Sequence, residues 1–199
     1  MRILRINIIK IRIRINIKVF YHDILRAYIM DTVSIQSQQH ALNDKWKLYY
    51  HLPQDKNWDV SSYSVIMKNI DTAEKVIALN DHIHDNVIKN CMLFVMREGI
   101  TPMWEDPRNR NGGCFSYKIA NKMVPDVWKQ LFYLITGETL TNKPSYSKHM
   151  NGITVSPKKN FCIIKIWLDI STLQDPDIIT HIPNLQKQGC LFKKHEPEF

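Results

Sequence analysis

Residues 101–115, TPMWEDPRNRNGGCF, gather the side chains best equipped for recognition chemistry in this sequence. Trp104 followed by Glu105 joins a large π face to a group that only accepts hydrogen bonds, the pair a flat base with ring N–H donors requires. Pro107, Arg108, Asn109, Arg110 and the Gly112-Gly113 pair describe a tight polar turn rather than a helix or strand. Residues 115–119 return to alternation, so the motif sits in a loop between two strands. Two readings stay open on these residues alone: a ligand-edge loop, and an ordinary hairpin with one buried Trp.

The elements that must position this loop read as follows. Residues 46–52 form a first strand, stopped by Pro53, with Trp58 in the loop beyond. Residues 63–70 form a second strand. Asp71, with Glu74 three residues on, starts a helix whose apolar positions run from Ala73 to Val87. Residues 91–96 form a third strand leading into the motif. Pro125 opens a helix over 126–136 that Gly137 closes, with Val127, Leu131, Leu134 and Ile135 as its buried stripe. Residues 153–155 and 161–168 form a hairpin with a basic turn at 156–160. Asp175 and Pro176 begin a further helix, broken by Pro183, and residues 190–194 form a short last strand. Strands and helices do not alternate regularly, which predicts an α+β fold, an antiparallel sheet with helices on one face.

Composition narrows the function. At 199 residues and 44% hydrophobic content the chain makes one domain with a real core. Of the formal net charge of +8, residues 1–29 carry seven Lys/Arg against one Asp, or +6, leaving +2 for the rest. The globular part is therefore no generic polyanion binder, and nucleic-acid recognition there must be local. Cys91, Cys114, Cys162 and Cys190 lie far apart and favour free thiols over bridges or zinc. Asp81-His82-Ile83-His84-Asp85 suggests a metal site, but His82 and His84 fall on different helical faces and read as exposed polar residues.

Residues 1–40 form a basic and polar extension ahead of a domain over 41–199. Ile11 to Lys18 alternates Ile with Arg, Lys and Asn, a strand pattern that suits neither a membrane span nor a signal peptide. It reads either as a basic arm for RNA or as translation upstream of a start at Met30. Residues 31–40 read as a flexible lead-in.

The 101–115 loop resembles the signature of the eukaryotic initiation factor 4E family, which binds the 7-methylguanosine cap of messenger RNA. The resemblance rests on PMWED, the following Asn, the two glycines and an aromatic, with Trp58 upstream and Trp167 at the end of a β-rich run. It covers residues 42–181. It implies a curved sheet of about eight strands with three helices on its convex face. It further implies base stacking by Trp58 and Trp104, a guanine-edge contact by Glu105, and a methyl contact by Trp167. Phosphate binding would fall to Lys158 and Lys159, with Arg108 and Arg110 as substitutes, because Cys114 and Ile163 stand where the family carries basic residues. Lys193, Lys194 and His195 become candidates for cap-adjacent nucleotides. A scaffold factor of the 4G type, or a repressor peptide, would dock on a helical face bearing His40, Val76, Ile77, Trp128, Leu131, Gly137 and Glu138. There Ala41 and Ile77 replace the hallmark Pro and Trp. Trp46 and Trp128 read as structural.

The function implied is cytoplasmic recruitment of capped messages by a monomer without cofactor, metal or membrane. Alternatives are a cap-sequestering homologue, a cap-modifying enzyme, and a non-specific RNA-binding protein driven by the basic arm. No dinucleotide fingerprint, phosphate loop or nucleophile–base arrangement supports the enzyme. The Ile, Asn and Lys bias suits an AT-rich eukaryote or a large DNA virus.

Overall fold

A computed structural model describes residues 39–195. The basic arm and most of the 31–40 lead-in lie outside the described residues. The chain builds one antiparallel sheet of seven strands from β1 (Ala41–His51), β2 (Ser64–Thr72), β3 (Met92–Arg97), β4 (Gly113–Ala120), β5 (Met150–Pro157), β6 (Phe161–Leu168) and β7 (Leu191–Lys194). Their order across the sheet is β2-β1-β3-β5-β6-β4-β7, and the sheet is curved and unclosed. The helical segments are α1 (Ala73–His82), α2 (Asp85–Asn90), α3 (Val124–Thr136) and the single turn α4 (Pro144–Ser147).

Strand alternation divides the side chains between two faces. On one face Leu93, Val95, Phe115, Tyr117, Ile119, Ile164 and Ile166 join Val76, Leu79, Val127, Leu131 and Ile135 of the helices in the main core. Trp46 and Trp128, read as structural, are fully buried there. On the other, helix-free face a smaller cluster of Tyr49, Phe94, Met96, Ile100 and Trp167 forms a floor. That second cluster positions the site.

Two expectations about helices differ from the structure. The helix starting near Asp71 does not run to Val87: Thr72 caps it, accepting from the Lys75 N–H, and it stops at His82. Ile83 and His84 are extended, and a second helix follows. Ile83 is 1% exposed, so the break lets it and Ile88 reach the core from separate segments. The helix expected from Asp175 is one 3-10 turn, Pro176–Ile178. There Ile179 bridges to Thr141 and the Thr180 N–H donates to the Leu140 carbonyl, so backbone pairing with a neighbouring segment replaces the helical ladder. Among the described residues the sheet has seven strands, in keeping with the curved α+β sheet expected.

Candidate functional site

The loop between β3 and β4 holds its shape without regular secondary structure, through buried Asn109. Its Nδ2 donates to the carbonyls of Thr101 (3.0 Å) and Met103 (2.7 Å), and its Oδ1 accepts from Asn151 Nδ2 at 2.8 Å. Its own carbonyl accepts from His195 Nδ1 at 2.7 Å. Asp106 closes the other side, accepting from the Thr101 N–H at 2.8 Å, the Thr101 hydroxyl and the Arg108 N–H. Burial works against the Asp106 carboxylate, but those hydrogen bonds hold its pKa below the usual range. The two glycines serve packing. A Cβ at Gly112 would run into the Leu168 backbone, and one at Gly113 into Phe192 and the Lys193 carbonyl.

With the backbone of 101–109 tied down, Trp104 and Glu105 are left exposed at the rim of a cleft of about 200 Å3. Trp58, Tyr63, Phe94, Thr154, Lys165 and Trp167 are among its other lining residues. Trp58 is 49% exposed and Trp104 38%, unusual for so large an apolar ring. Trp58 is backed rather than floating. His51 stacks behind it with ring centroids 4.3 Å apart and planes 4° from parallel. His51 is fully buried, and its Nε2 lies 2.8 Å from the Asn57 carbonyl, which can only accept. Nε2 is therefore the donor of that pair, and Nδ1 has no hydrogen-bond partner among the described residues.

Trp167 lies on the floor, 6% exposed, its Nε1 donating to Thr154 Oγ1 at 2.8 Å. His195 tilts against it at 4.9 Å. Burial pushes the His195 pKa down, so this ring is neutral near pH 7. Tyr63 is pushed up to about 12, first by burial and then by the negative charge of Glu105, whose field therefore reaches into the cleft.

The cleft thus brings together Trp58, Trp104, Glu105 and Trp167. The residues expected to bind phosphate do not line this cleft. Lys158 and Lys159 sit exposed in the β5–β6 turn, and Arg108 and Arg110 lie exposed on the far part of the 101–112 loop, none of them lining the cleft. Lys193 and Lys194 alternate, so they point to opposite faces of β7; Gly113 pairs with Lys194 and Cys114 with Lys193. Among the described residues the cation that lines the cleft is Lys165, which the motif reading missed. It was legible by parity: residues 163, 165 and 167 share one face of a strand, and Trp167 marks that face as the site's. Lys165 Nζ lies 5.9 Å from the Trp167 ring centroid and makes no ion pair among the described residues.

On the helical side Ile77 is 49% and Tyr133 41% exposed, and His40 and Gly137 are also exposed. Trp128 and Leu131 are fully buried, so any contribution they make to that face is support from beneath. Val76 is likewise buried, at 2% exposure. Glu138 is engaged by Arg97 at 2.9 Å and by Asn43 at 3.0 Å. Among the described residues no cluster of metal-ligating side chains occurs, and no helix is long and apolar enough to cross a membrane.

Residues 41–196 match the family model described as eukaryotic initiation factor 4E. The chain is 44% identical over 91 residues to a eukaryotic translation initiation factor 4E homolog of Acanthamoeba polyphaga mimivirus, a match spanning 45% of this chain and 29% of that one. It is 25% identical over 156 residues to human eukaryotic translation initiation factor 4E, covering 75% of this chain and 69% of that protein. Among solved structures it resembles C. elegans eIF4E-3 in complex with the 4E-binding protein Mextli and a cap analog, with a TM-score of 0.60 at 25% identity over 68% of this chain and 77% of that one. A schistosome eIF4E complexed with m7GpppG and 4E-BP shares the fold, with a TM-score of 0.62 at 21% identity over 69% of this chain and 76% of that one.

Proposed function

The chain belongs to the eukaryotic initiation factor 4E family, and from that premise we propose that it binds the 7-methylguanosine end of capped messenger RNA in the cleft between Trp58 and Trp104. The observation that carries this reading is the convergence of two exposed indoles and a carboxylate on one cleft floored by Trp167. N7 methylation makes guanine a flat cation, which an indole face attracts more than a neutral base. Stacking contributes roughly 1–3 kcal/mol per base and a desolvated cation–π contact about 2 more, so two rings supply most of the affinity. Glu105 accepts from guanine N1–H and N2–H₂, two parallel donors that adenine lacks. The Trp104 N–H holds O6, and Trp167 packs near the methyl group. Lys165 supplies the positive charge for the first phosphates, with Lys158 and Lys159 at the nearby turn, and Arg108 and Arg110 further out on the loop.

Family members are cap-binding factors, not enzymes, and they act in translation initiation. Recruitment would run through a 4G-like scaffold or a repressor-type peptide seated on the face carrying His40, Ile77 and Tyr133, as 4E-binding proteins accompany the solved relatives. Exposed Ile77 offers apolar area without an indole donor, which also keeps the cap-sequestering alternative in view. A helical scaffold peptide separates the two: saturable binding supports recruitment, and none supports sequestration.

The cap reading is tested by quenching of intrinsic Trp fluorescence on titration with 7-methyl-GTP against GTP. Quenching at least tenfold more sensitive to the methylated ligand, and lost in Trp104→Ala and Glu105→Ala, is the expected result. Equal response to both ligands would refute it.

A further inference from the structure

The helix-free face of the sheet continues past the cleft toward β7. Pairing registers define which residues share it. Lys165 stands opposite Thr154 on one side and Ser116 on the other. Ile163 stands opposite Lys118, and Phe161 opposite Ala120. Beyond β4, Ser116 faces Leu191 and Cys114 faces Lys193. Among the described residues every side chain on this stretch is apolar, hydroxylic, thiol or cationic, and none is a carboxylate. Lys118 and Lys193 are exposed, Leu191 is 60% exposed, and Lys118 Nζ sits 4.5 Å from the Phe161 ring centroid. None of Lys118, Lys165 and Lys193 forms an ion pair among the described residues.

This is unusual company for three lysines in a domain whose net charge outside the N-terminal arm is only +2. From Trp167 to Phe161 β6 makes six steps of roughly 3.3 Å, about 20 Å, so the track is long enough to follow a polymer and not only a mononucleotide. Cations that follow a backbone beside an aromatic and exposed apolar side chains are the ingredients of single-strand binding.

We propose that Lys118 and Lys193, with Phe161 and Leu191 between and beside them, form a second subsite that carries the single-stranded RNA following the capped nucleotide, with Lys165 as the joint between cleft and track. The proposal rests on the cap-binding reading for its direction. Its chemistry, a cationic strip against a phosphodiester chain, stands on the face itself.

The test uses Lys118→Glu/Lys193→Glu in the full chain, both positions being exposed. Binding of 7-methyl-GTP is read by Trp quenching. Binding of a fluorescent ten-nucleotide RNA, capped and uncapped, is read by anisotropy between 50 and 300 mM salt. The double variant should bind both RNAs about tenfold more weakly, with a salt slope smaller by roughly 1.4, about 0.7 per lost contact, while 7-methyl-GTP binding stays within twofold of wild type. RNA affinity and slope within twofold of wild type would overturn the track. If the unaltered chain fails to distinguish 7-methyl-GTP from GTP, the cap reading falls, and the uncapped RNA still decides the track.

Discussion

Replacing Asn109 by Ala should disable the cleft without substituting any residue that lines it. The Asn109 side chain makes three hydrogen bonds, to the Thr101 carbonyl (3.0 Å), the Met103 carbonyl (2.7 Å) and Asn151 Nδ2 (2.8 Å), and it is 0% exposed. At about 1 kcal/mol each, with their partners left buried, the loss is roughly 3 kcal/mol. Trp104 and Glu105 directly follow the two anchored carbonyls, so most of this loss loosens the loop in which they sit. If the loop's competent arrangement falls to a small fraction of the population, apparent affinity falls by the same factor, and 3 kcal/mol sets its ceiling near 100-fold. Titration with 7-methyl-GTP should therefore show a loss between tenfold and 100-fold, alongside a lower urea midpoint. Asn151→Ala removes only the bond to Asn109 Oδ1 and one to the Arg108 carbonyl (2.8 Å), so it should cost the ligand less. An Asn109→Ala protein that is less stable yet binds within threefold of wild type would refute the idea that this residue holds the site rather than the fold.

Other outcomes follow from separate parts of the molecule. Glu105→Gln should weaken 7-methyl-GTP by roughly 100-fold, since about 1.5–3 kcal/mol attaches to each charged hydrogen bond it would spoil; isothermal titration checks it, and a loss below fivefold contradicts the guanine-edge role. His51→Ala should cost about 2- to 10-fold in affinity by removing the ring behind Trp58, and His51→Phe should restore it; equal loss in both would mean the imidazole's hydrogen bond, not its face, matters. Arg97→Ala should destabilise the domain by about 3–5 kcal/mol in urea unfolding, because Arg97 donates to the Met150 and Ser147 carbonyls and pairs with Glu138 and Asp44; a loss under 1 kcal/mol would refute this. Glu74 is held to about 2 first by the His40 hydrogen bond, so its contribution is complete above its ordinary value of 4.5 and disappears as pH falls through about 2. A carboxyl NMR titration should place its midpoint there, and His40→Ala should raise it toward 4.5.

The parts of this molecule legible in the sequence are those where residue type carries the chemistry. Trp104-Glu105 stands out in the sequence and the structure leaves both residues exposed at the cleft, and the strand readings place β3, β4 and β6 within a residue or two of their observed bounds. What stayed hidden depends on contacts between distant segments. The stretch after Asp175 has a helix-start signal and buries Ile178, Ile182 and Leu185 at helical spacing, yet the Leu140 carbonyl and Thr141 capture its backbone first. Nothing near Asp175 encodes that neighbour. His51 reads as the polar end of a strand, and only the fold brings Trp58 back over it.

Lys165 is the instructive case, because its signal was local and was outweighed by a motif. Aligning functions by position pointed to the turn at Lys158 and Lys159, where a cation is expected. Strand parity adds Lys165, since a β-strand sends every second side chain to the same face and Trp167 lines the cleft from that face. Parity also predicts that Ile163, an apolar residue at a position expected to be basic, shares the site's face, and its register partners Ser156 and Lys118 show what surrounds it. In the proposed arrangement the phosphate-binding charge lies on this same face of the sheet. Lys165→Ala should therefore weaken 7-methyl-GTP by about tenfold and 7-methylguanosine hardly at all, because only the former carries phosphates. Equal loss for nucleotide and nucleoside would make Lys165 a support for Trp167 rather than a partner for phosphate.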